Sequence, residues 1–479
     1  MRSFVLQCRP AVKRSSLAVI AVSCAMTACK PEAKTLKAAA VKPPMVAASR
    51  EPQTVRPSST AWEPRIPPKL PDLAIGSVHS VLFTPDGRRL VFDTGAGVAA
   101  IDLTRGRLLW YTEAVSFTEL LLMTADGRRI VTTTTDPDKD TPTLIITIGG
   151  RVTARLPDVG PDSGGVVSLD LVGHYLIRRA FTWKSAASDD RTVTDVWNIQ
   201  TGRQTDRRTS RIIDESGMPL WQYIEQWRVT GHPTPSISQR GKLVDNPLRA
   251  ANNPLSMAGK YPAAAWWSKT AGPRQGDRFT MRSGRYFICL RDYMAKIPCV
   301  EVWDLLKKKR LWRAVYVNSA PLTAAVSPDG HTLAVAGTEH AVRFFDIKTG
   351  RTLAKTQYNM DILRTAAYSP NGRILAVAGG DVFEGRDGVI LLDAKTYRPV
   401  ATIKVARNTF TPESDGNPWW DIQTADGSYT ASSNLLSYIA ASSQLNDGQF
   451  LYNLHNPHRV RETLRPCWSE SQPMVAQHR

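Results

Sequence analysis

The chain has 479 residues, of which 42% are apolar and 22% charged, a size and mixture that can bury a large core. Past the N-terminal region no apolar run reaches the roughly 18 residues of a membrane-spanning helix, which excludes a helical membrane body. The formal charge of +18 comes from basic residues scattered along the sequence rather than gathered on one helix. That pattern argues against a nucleic-acid partner and reads either as a solvated basic surface or as attraction to an anionic surface or polymer.

Lys13 and Arg14 precede a short apolar stretch, "SSLAVIAVSCAMTAC", that ends in small residues, so residues 1–28 read as a secretory signal. Its ending, "MTAC", resembles the bacterial lipobox. That resemblance implies lipidation of Cys29 after cleavage, and a lipoprotein anchored on the periplasmic or extracellular side of a bacterial envelope. Cys24, in "AVSC", is the second candidate, and a plain cleaved signal is the bland alternative. Residues 29–72 follow as a disordered tether: nine of the 43 residues from 30 to 72 are proline, and aromatics are almost absent. At about 3 Å per residue it reaches on the order of 100 Å.

From residue 73 to 465 the chain reads as an array. Turn tetrads such as "SPDG" (327–330) and "SPNG" (369–372) join pairs of short β-rich runs, with Ser369 lying 42 residues after Ser327. "TPDG" (84–87) and "TADG" (124–127) are 40 residues apart. A third run in each unit ends in a second turn, as in "FFDIKTG", "AIDLTRG", "VWNIQTG" and "LLDAKTY". This order predicts four antiparallel strands per unit, with clear units near 76–112, 114–157, 165–208, 275–317, 320–358 and 362–404. Residues 209–272 read as a degenerate unit carrying an insertion. Residues 405–465 read as a last unit or a cap, with a short helix at "RVRETL", and 466–479 as a disordered tail.

These repeats resemble the bacterial WD40 and YVTN-type β-propeller repeats, most strongly over 320–400. The resemblance implies an all-β propeller of four-stranded antiparallel blades, seven by the best count, with six or eight as alternatives. The Trp-Asp ending is intact only at Trp303-Asp304. "AIDLTRGRLLW" (100–110) also resembles the tryptophan-docking motif of quinoprotein propellers, with "VWDLLKKKRLW" (302–312) a poorer copy. In those folds the indole packs between blades, which implies a packing role for Trp110 and Trp312 and no quinone.

Few residues suggest chemistry. No nucleophile elbow, zinc-protease helix or phosphate loop occurs, so no catalytic residue, metal or cofactor is assigned. His455 and His458 lie close in sequence with Cys467 nearby, but Pro457 makes a turn between them and a second ligand pair is missing. Cys289 and Cys299 flank a loop between two β-rich runs. They read either as a cross-strand disulfide or as two small buried thiols. The tandem tryptophans Trp266-Trp267 and Trp419-Trp420 read either as partner-binding loops or as residues alternating between a blade core and a cap. The function expected is therefore a noncatalytic, monomeric scaffold that binds an envelope protein or an anionic envelope polymer. The alternative is an envelope enzyme or ligand sensor with its site in the central channel.

Overall fold

The computed structural model describes residues 78–94, 97–112, 118–134, 143–157, 163–182, 191–211, 277–283, 285–291, 297–304, 306–307, 309–358, 362–380, 388–406, 418–442 and 455–468. Residues 1–72, Cys29 among them, and Trp266 and Trp267 lie outside them, as does most of 209–272. The rest is all-β with two short helices. Six sheets follow one another along the chain, each with its first four strands adjacent in sequence order and antiparallel.

Sheet 1 comprises β1 (Val81–Phe83), β2 (Arg89–Asp93), β3 (Val98–Asp102) and β4 (Arg107–Thr112). Sheet 2 comprises β5 (Thr118–Met123), β6 (Arg129–Thr134), β7 (Thr143–Thr147) and β8 (Val152–Leu156). Sheet 3 comprises β9 (Ser163–Val172), β10 (Tyr175–Thr182), β11 (Arg191–Asn198) and β12 (Arg203–Arg211). After residues 212–276 comes sheet 4, with β13 (Asp277–Ser283), β14 (Tyr286–Arg291), β15 (Cys299–Asp304) and β16 (Lys309–Val315). Sheet 5 holds β17 (Pro321–Val326), β18 (Thr332–Gly337), β19 (Ala341–Asp346) and β20 (Thr352–Gln357). Sheet 6 holds β21 (Leu363–Tyr368), β22 (Ile374–Gly379), β23 (Gly388–Asp393) and β24 (Pro399–Ala406), and is widened by β25 (Trp419–Thr424) and β26 (Tyr429–Ala431).

In sheets 1, 2, 5 and 6 the second and third strands are short runs rich in apolar residues whose two faces are both covered. In β22, Ile374, Ala376 and Ala378 face one neighbouring core and Leu375 and Val377 the other. Read in this way, sheet 1 packs on sheet 2, sheet 2 on sheet 3, sheet 4 on sheet 5 and sheet 5 on sheet 6. Sheet 6 in turn shares its largest core with sheet 1, through Phe92 and Ile101 on one side and Leu391 and Ile403 on the other.

Each sheet uses the same register. The first residue of the second strand lies opposite the residue that ends the third, as in Arg89 with Asp102, Thr332 with Asp346 and Ile374 with Asp393. In all six sheets the third and fourth strands then slip by one residue through a bulge at the same place, after Ala100, Ile145, Val196, Val302, Phe344 and Leu391.

The C-terminal residues cross the junction of sheets 6 and 1. Helix α1 (Ser433–Ser442) covers β25 and β26 through Leu435 and Leu436. Helix α2 (Pro457–Leu464) is capped by the Asn456 side chain and buries Val460 and Leu464 in the shared core. The 3-10 turn that follows (Arg465–Cys467) buries Cys467 there as well. Pro466 to Trp468, the first residues of the stretch expected as a tail, pack here as well. The carbonyl of Pro466 accepts the Asn371 side-chain amide at 2.8 Å, and the Cys467 carbonyl lies so close to Gly87 that a Cβ there would meet it at 2.4 Å.

Candidate binding surface

Strand alternation puts the turn between the first and second strands and the turn between the third and fourth at the same end of each sheet. Both are held by short polar side chains. In the first series, in sheets 1, 2, 5 and 6, and again in the turn between β25 and β26, a Ser or Thr hydroxyl donates to the Asp or Asn two residues on, which in turn accepts a backbone N–H. Thr84 and Asp86 do this at 2.5 Å, as do Ser327 with Asp329 and Thr424 with Asp426, and Ser369 does it with Asn371 at 2.7 Å. The glycine that follows takes φ near +70° at Gly87, Gly330 and Gly372, so these tetrads are hairpin tips as the sequence predicts.

In the second series the side chain that ends the third strand accepts the backbone N–H groups two and three residues on. Asp346 accepts them from Lys348 at 3.1 Å and Thr349 at 2.8 Å, and Asn198 from Gln200 and Thr201. The hydrogen bonds from Thr349 hold the Asp346 carboxyl below the usual range. The aspartate of the Trp-Asp ending is thus a turn anchor.

Two tryptophans tie neighbouring sheets together at this end. Trp110 of sheet 1 donates its indole N–H to the Ile148 carbonyl of sheet 2 at 2.9 Å, and Trp312 of sheet 4 does the same to Ile347 of sheet 5. Each ring lies on a turn glycine of the next sheet, Gly150 and Gly350, where a Cβ would meet it at 2.5 Å. The packing role expected of Trp110 and Trp312 is what the structure shows.

Polar groups inside the array are engaged in networks. At the junction of sheets 2 and 3 the fully buried Arg178 forks onto Asp195, its cross-strand partner, at 3.1 and 2.7 Å. Its remaining donors reach the Thr143 hydroxyl and the Pro157 carbonyl. Near the opposite end of sheet 5, Glu339 takes both Arg343 and Lys355, while the Arg343 guanidinium stacks over Tyr316 at 4.5 Å. On the face of sheet 4 turned away from sheet 5, Glu301 accepts from Trp303 and Arg310 and has Arg291 and Arg313 within 3.7 Å.

Cys289 and Cys299 share that face, and here the structure corrects the disulfide reading. Cys289 lies opposite Glu301 and Cys299 opposite Arg291, so the two are offset by two residues, and both thiols are buried. Diagonal positions of this kind lie roughly 7–8 Å apart at Cα, beyond disulfide reach. Trp419 and Trp420 are likewise not on a loop. They begin β25 and point to opposite faces, Trp419 under α1 and Trp420 against the core shared by sheets 6 and 1. His455 packs edge-on against Tyr429, and His458 is exposed on α2. Burial pushes the Cys467 thiol up to about 12. Among the described residues no cluster of three His, Cys, Asp or Glu side chains has metal-ligand geometry.

The exposed side chains at the turn-bearing end are mostly basic. Arg88 and Arg128 project from the first series of turns, and Arg151, Lys348, Arg351 and Arg398 from or beside the second. Helix α2, lying over Gly106 and followed by the 3-10 turn at Gly87, adds a shallow cavity of about 350 Å³ lined by His458, Arg461, Glu462, Arg465 and Trp468. Sequence reasoning passed over this cavity, because its residues are brought together by a helix read only as a cap.

No family model and no curated protein matches the chain. Among solved structures it is similar to the computationally designed Ika8 protein, at 13% identity and a TM-score of 0.39, over 74% of this chain and 96% of that one. That likeness is too slight to carry an argument.

Proposed function

We propose that the six sheets are blades of one WD40/YVTN-type β-propeller, and that the chain is a lipid-anchored envelope scaffold that binds a protein or an anionic polymer without catalysis. The observation that carries the propeller is the core shared by sheet 6 and sheet 1. An open stack leaves its first and last sheets with one bare face each, and a ring leaves none. A seventh blade from 209–272 fits between sheets 3 and 4. Support for the scaffold comes from how the repeated carboxylates are used. At both series of turns they accept hydrogen bonds from neighbouring backbone amides, which builds a rigid surface.

The anchor is tested by acyl-chain labelling, with Cys29→Ser expected to abolish the label and release the protein from membranes. Labelling that persists moves the anchor to Cys24, and a wild-type chain that is never labelled removes it. The scaffold is tested by capture from cross-linked envelopes. One component recovered in stoichiometric amount supports it. A purified chain that carries a chromophore or metal and turns over a substrate would replace it with the enzyme reading.

A further inference from the structure

The two ends of the sheets differ in charge. At the turn-bearing end most described turns carry more Arg and Lys than acid, and the aspartates present are folded back onto their own backbone amides. At the other end several of the described strands stop at connections that are acidic in sequence, although the long one between β12 and β13 is basic. Between residues 134 and 143 lie three aspartates and one lysine, and between 380 and 388 three acids and one arginine. Between 157 and 163 there are two aspartates and no base. A molecule polarised in this way meets an anionic surface with its turns and turns its other end away.

Two further features at the turn-bearing end are not explained by charge. Leu306, in the turn after Asp304, is 74% exposed and stands beside exposed Lys307 and Lys309. Trp468 is half-buried at the edge of the α2 cavity, next to Arg461 and Arg465. Glu462, the one acid lining that cavity, lies 3.8 Å from His458 and 3.6 Å from Arg459, while Arg461 and Arg465 have no carboxylate partner among the described residues. An apolar knob set among lysines, and an indole beside two free guanidiniums, gain little from a soluble polyanion. Against a bilayer the leucine enters the acyl boundary, the indole takes the interface, and the guanidiniums meet headgroup phosphates.

We infer that the turn-bearing end is a docking face for a bilayer rich in anionic phospholipid, with Leu306 inserted and a headgroup phosphate held by Arg461 and Arg465 beside Trp468. This names a surface for the scaffold proposed above. It does not depend on the acyl chain at Cys29, so either reading can fail alone.

The test uses the full chain carrying Cys29→Ser, so that every variant has the same N-terminal region and no acyl group. Co-sedimentation is measured with vesicles of phosphatidylcholine, with and without phosphatidylglycerol. Binding should rise with phosphatidylglycerol and fall with salt. Arg461→Ser and Arg465→Ser should each weaken it roughly fivefold. Leu306→Ser should weaken it by about tenfold at any salt. Arg155→Ser, on an exposed position nearer the other end, should leave it unchanged, and all variants should melt like the parent. Binding indifferent to phosphatidylglycerol overturns the inference, as does binding that survives both Leu306→Ser and the double arginine change. If dextran sulfate binds through the same arginines while vesicles do not bind, the face belongs to a soluble polymer.

Discussion

Where sheet 4 meets sheet 5, the large residue is on the outer strand and the small one on the turn: Trp312 lies over Gly350. One junction further on, the assignment is reversed. The outer-strand position equivalent to Trp312 is Ala354, since Val302 faces Trp312 and Phe344 faces Ala354 across the same bulge. The turn position equivalent to Gly350 is Tyr397, whose backbone N–H likewise returns to the aspartate four residues back. Its ring stacks on Phe344 at 4.4 Å, and its carbonyl accepts the Thr356 hydroxyl at 2.6 Å. Tyr397 holds φ at 60°, a conformation that costs a side-chain-bearing residue about 1 kcal/mol or more. At these two junctions the volume comes from one partner or the other, whereas between sheets 2 and 3 both positions are small, with Gly202 beside Ala154. The turn conformation is kept even when the residue that adopts it easily is given up.

Breaking the first arrangement should cost the most. Trp312→Ala removes a packed indole and the donor to Ile347, and should lower stability by about 4 kcal/mol in chemical denaturation. A loss under 1 kcal/mol would mean that the indole is not a junction element. A buried carboxylate on the face of sheet 6 that meets sheet 5 should show the opposite sign. Burial raises Asp421 to about 6, against the pull of Lys404 across the strand. A folded-state value above the unfolded one means that its contribution is fully present below about pH 4 and is lost as pH rises through about 6. Asp421→Asn should therefore stabilise by up to about 3 kcal/mol at pH 8 and by little at pH 4. Equal effects at the two pH values would show that the carboxyl is not desolvated.

The two solutions can be exchanged. Tyr397→Gly should cost about 2 kcal/mol, since relief of the backbone offsets part of the lost packing. Adding Ala354→Trp should recover most of it, and a double-mutant cycle should show coupling of about 1–3 kcal/mol. Strictly additive changes would mean that the two positions do not fill one space. Gly330→Val isolates the backbone alone, because a Cβ at Gly330 meets nothing within 4 Å. Its cost should be about 1 kcal/mol, all from φ of +73°. The smallest effect is expected of a reductant, which should leave the melting temperature unchanged, with both Cys289 and Cys299 alkylated in the unfolded chain before any reduction.

The six four-stranded units and their hairpin tips were legible because tetrads such as Ser327–Gly330 carry their own backbone chemistry. The Cys289–Cys299 register was not, and the reason is general. An alternating apolar pattern fixes which residues face the core, and so the parity of the pairing. Shifting β14 against β15 by two residues keeps Ile288, Leu290, Val300 and Val302 inward in either case. The deciding signal lay in the other repeats, where the second strand begins opposite the aspartate. The same rule sets Tyr286 against Asp304 and carries the cysteines apart. The α2 cavity was hidden for a different reason. Arg461, Arg465 and Trp468 acquire a common surface only once Val460 and Leu464 are drawn into a core whose other members lie in sheets at both ends of the array.

That last contact sets an order of events in time. Sheet 1 can form as soon as its strands are made, yet its Gly106 and Gly87 turns stay uncovered until α2 and Cys467 arrive, with all the other sheets synthesised in between. A nascent chain halted anywhere before Asn456 presents those two turns, and the part of the shared core that Val460, Leu464 and Cys467 close, without their cover. The seam between the earliest and latest parts of the chain thus distinguishes a finished molecule from an interrupted one, and a protease or chaperone has only to find that seam open.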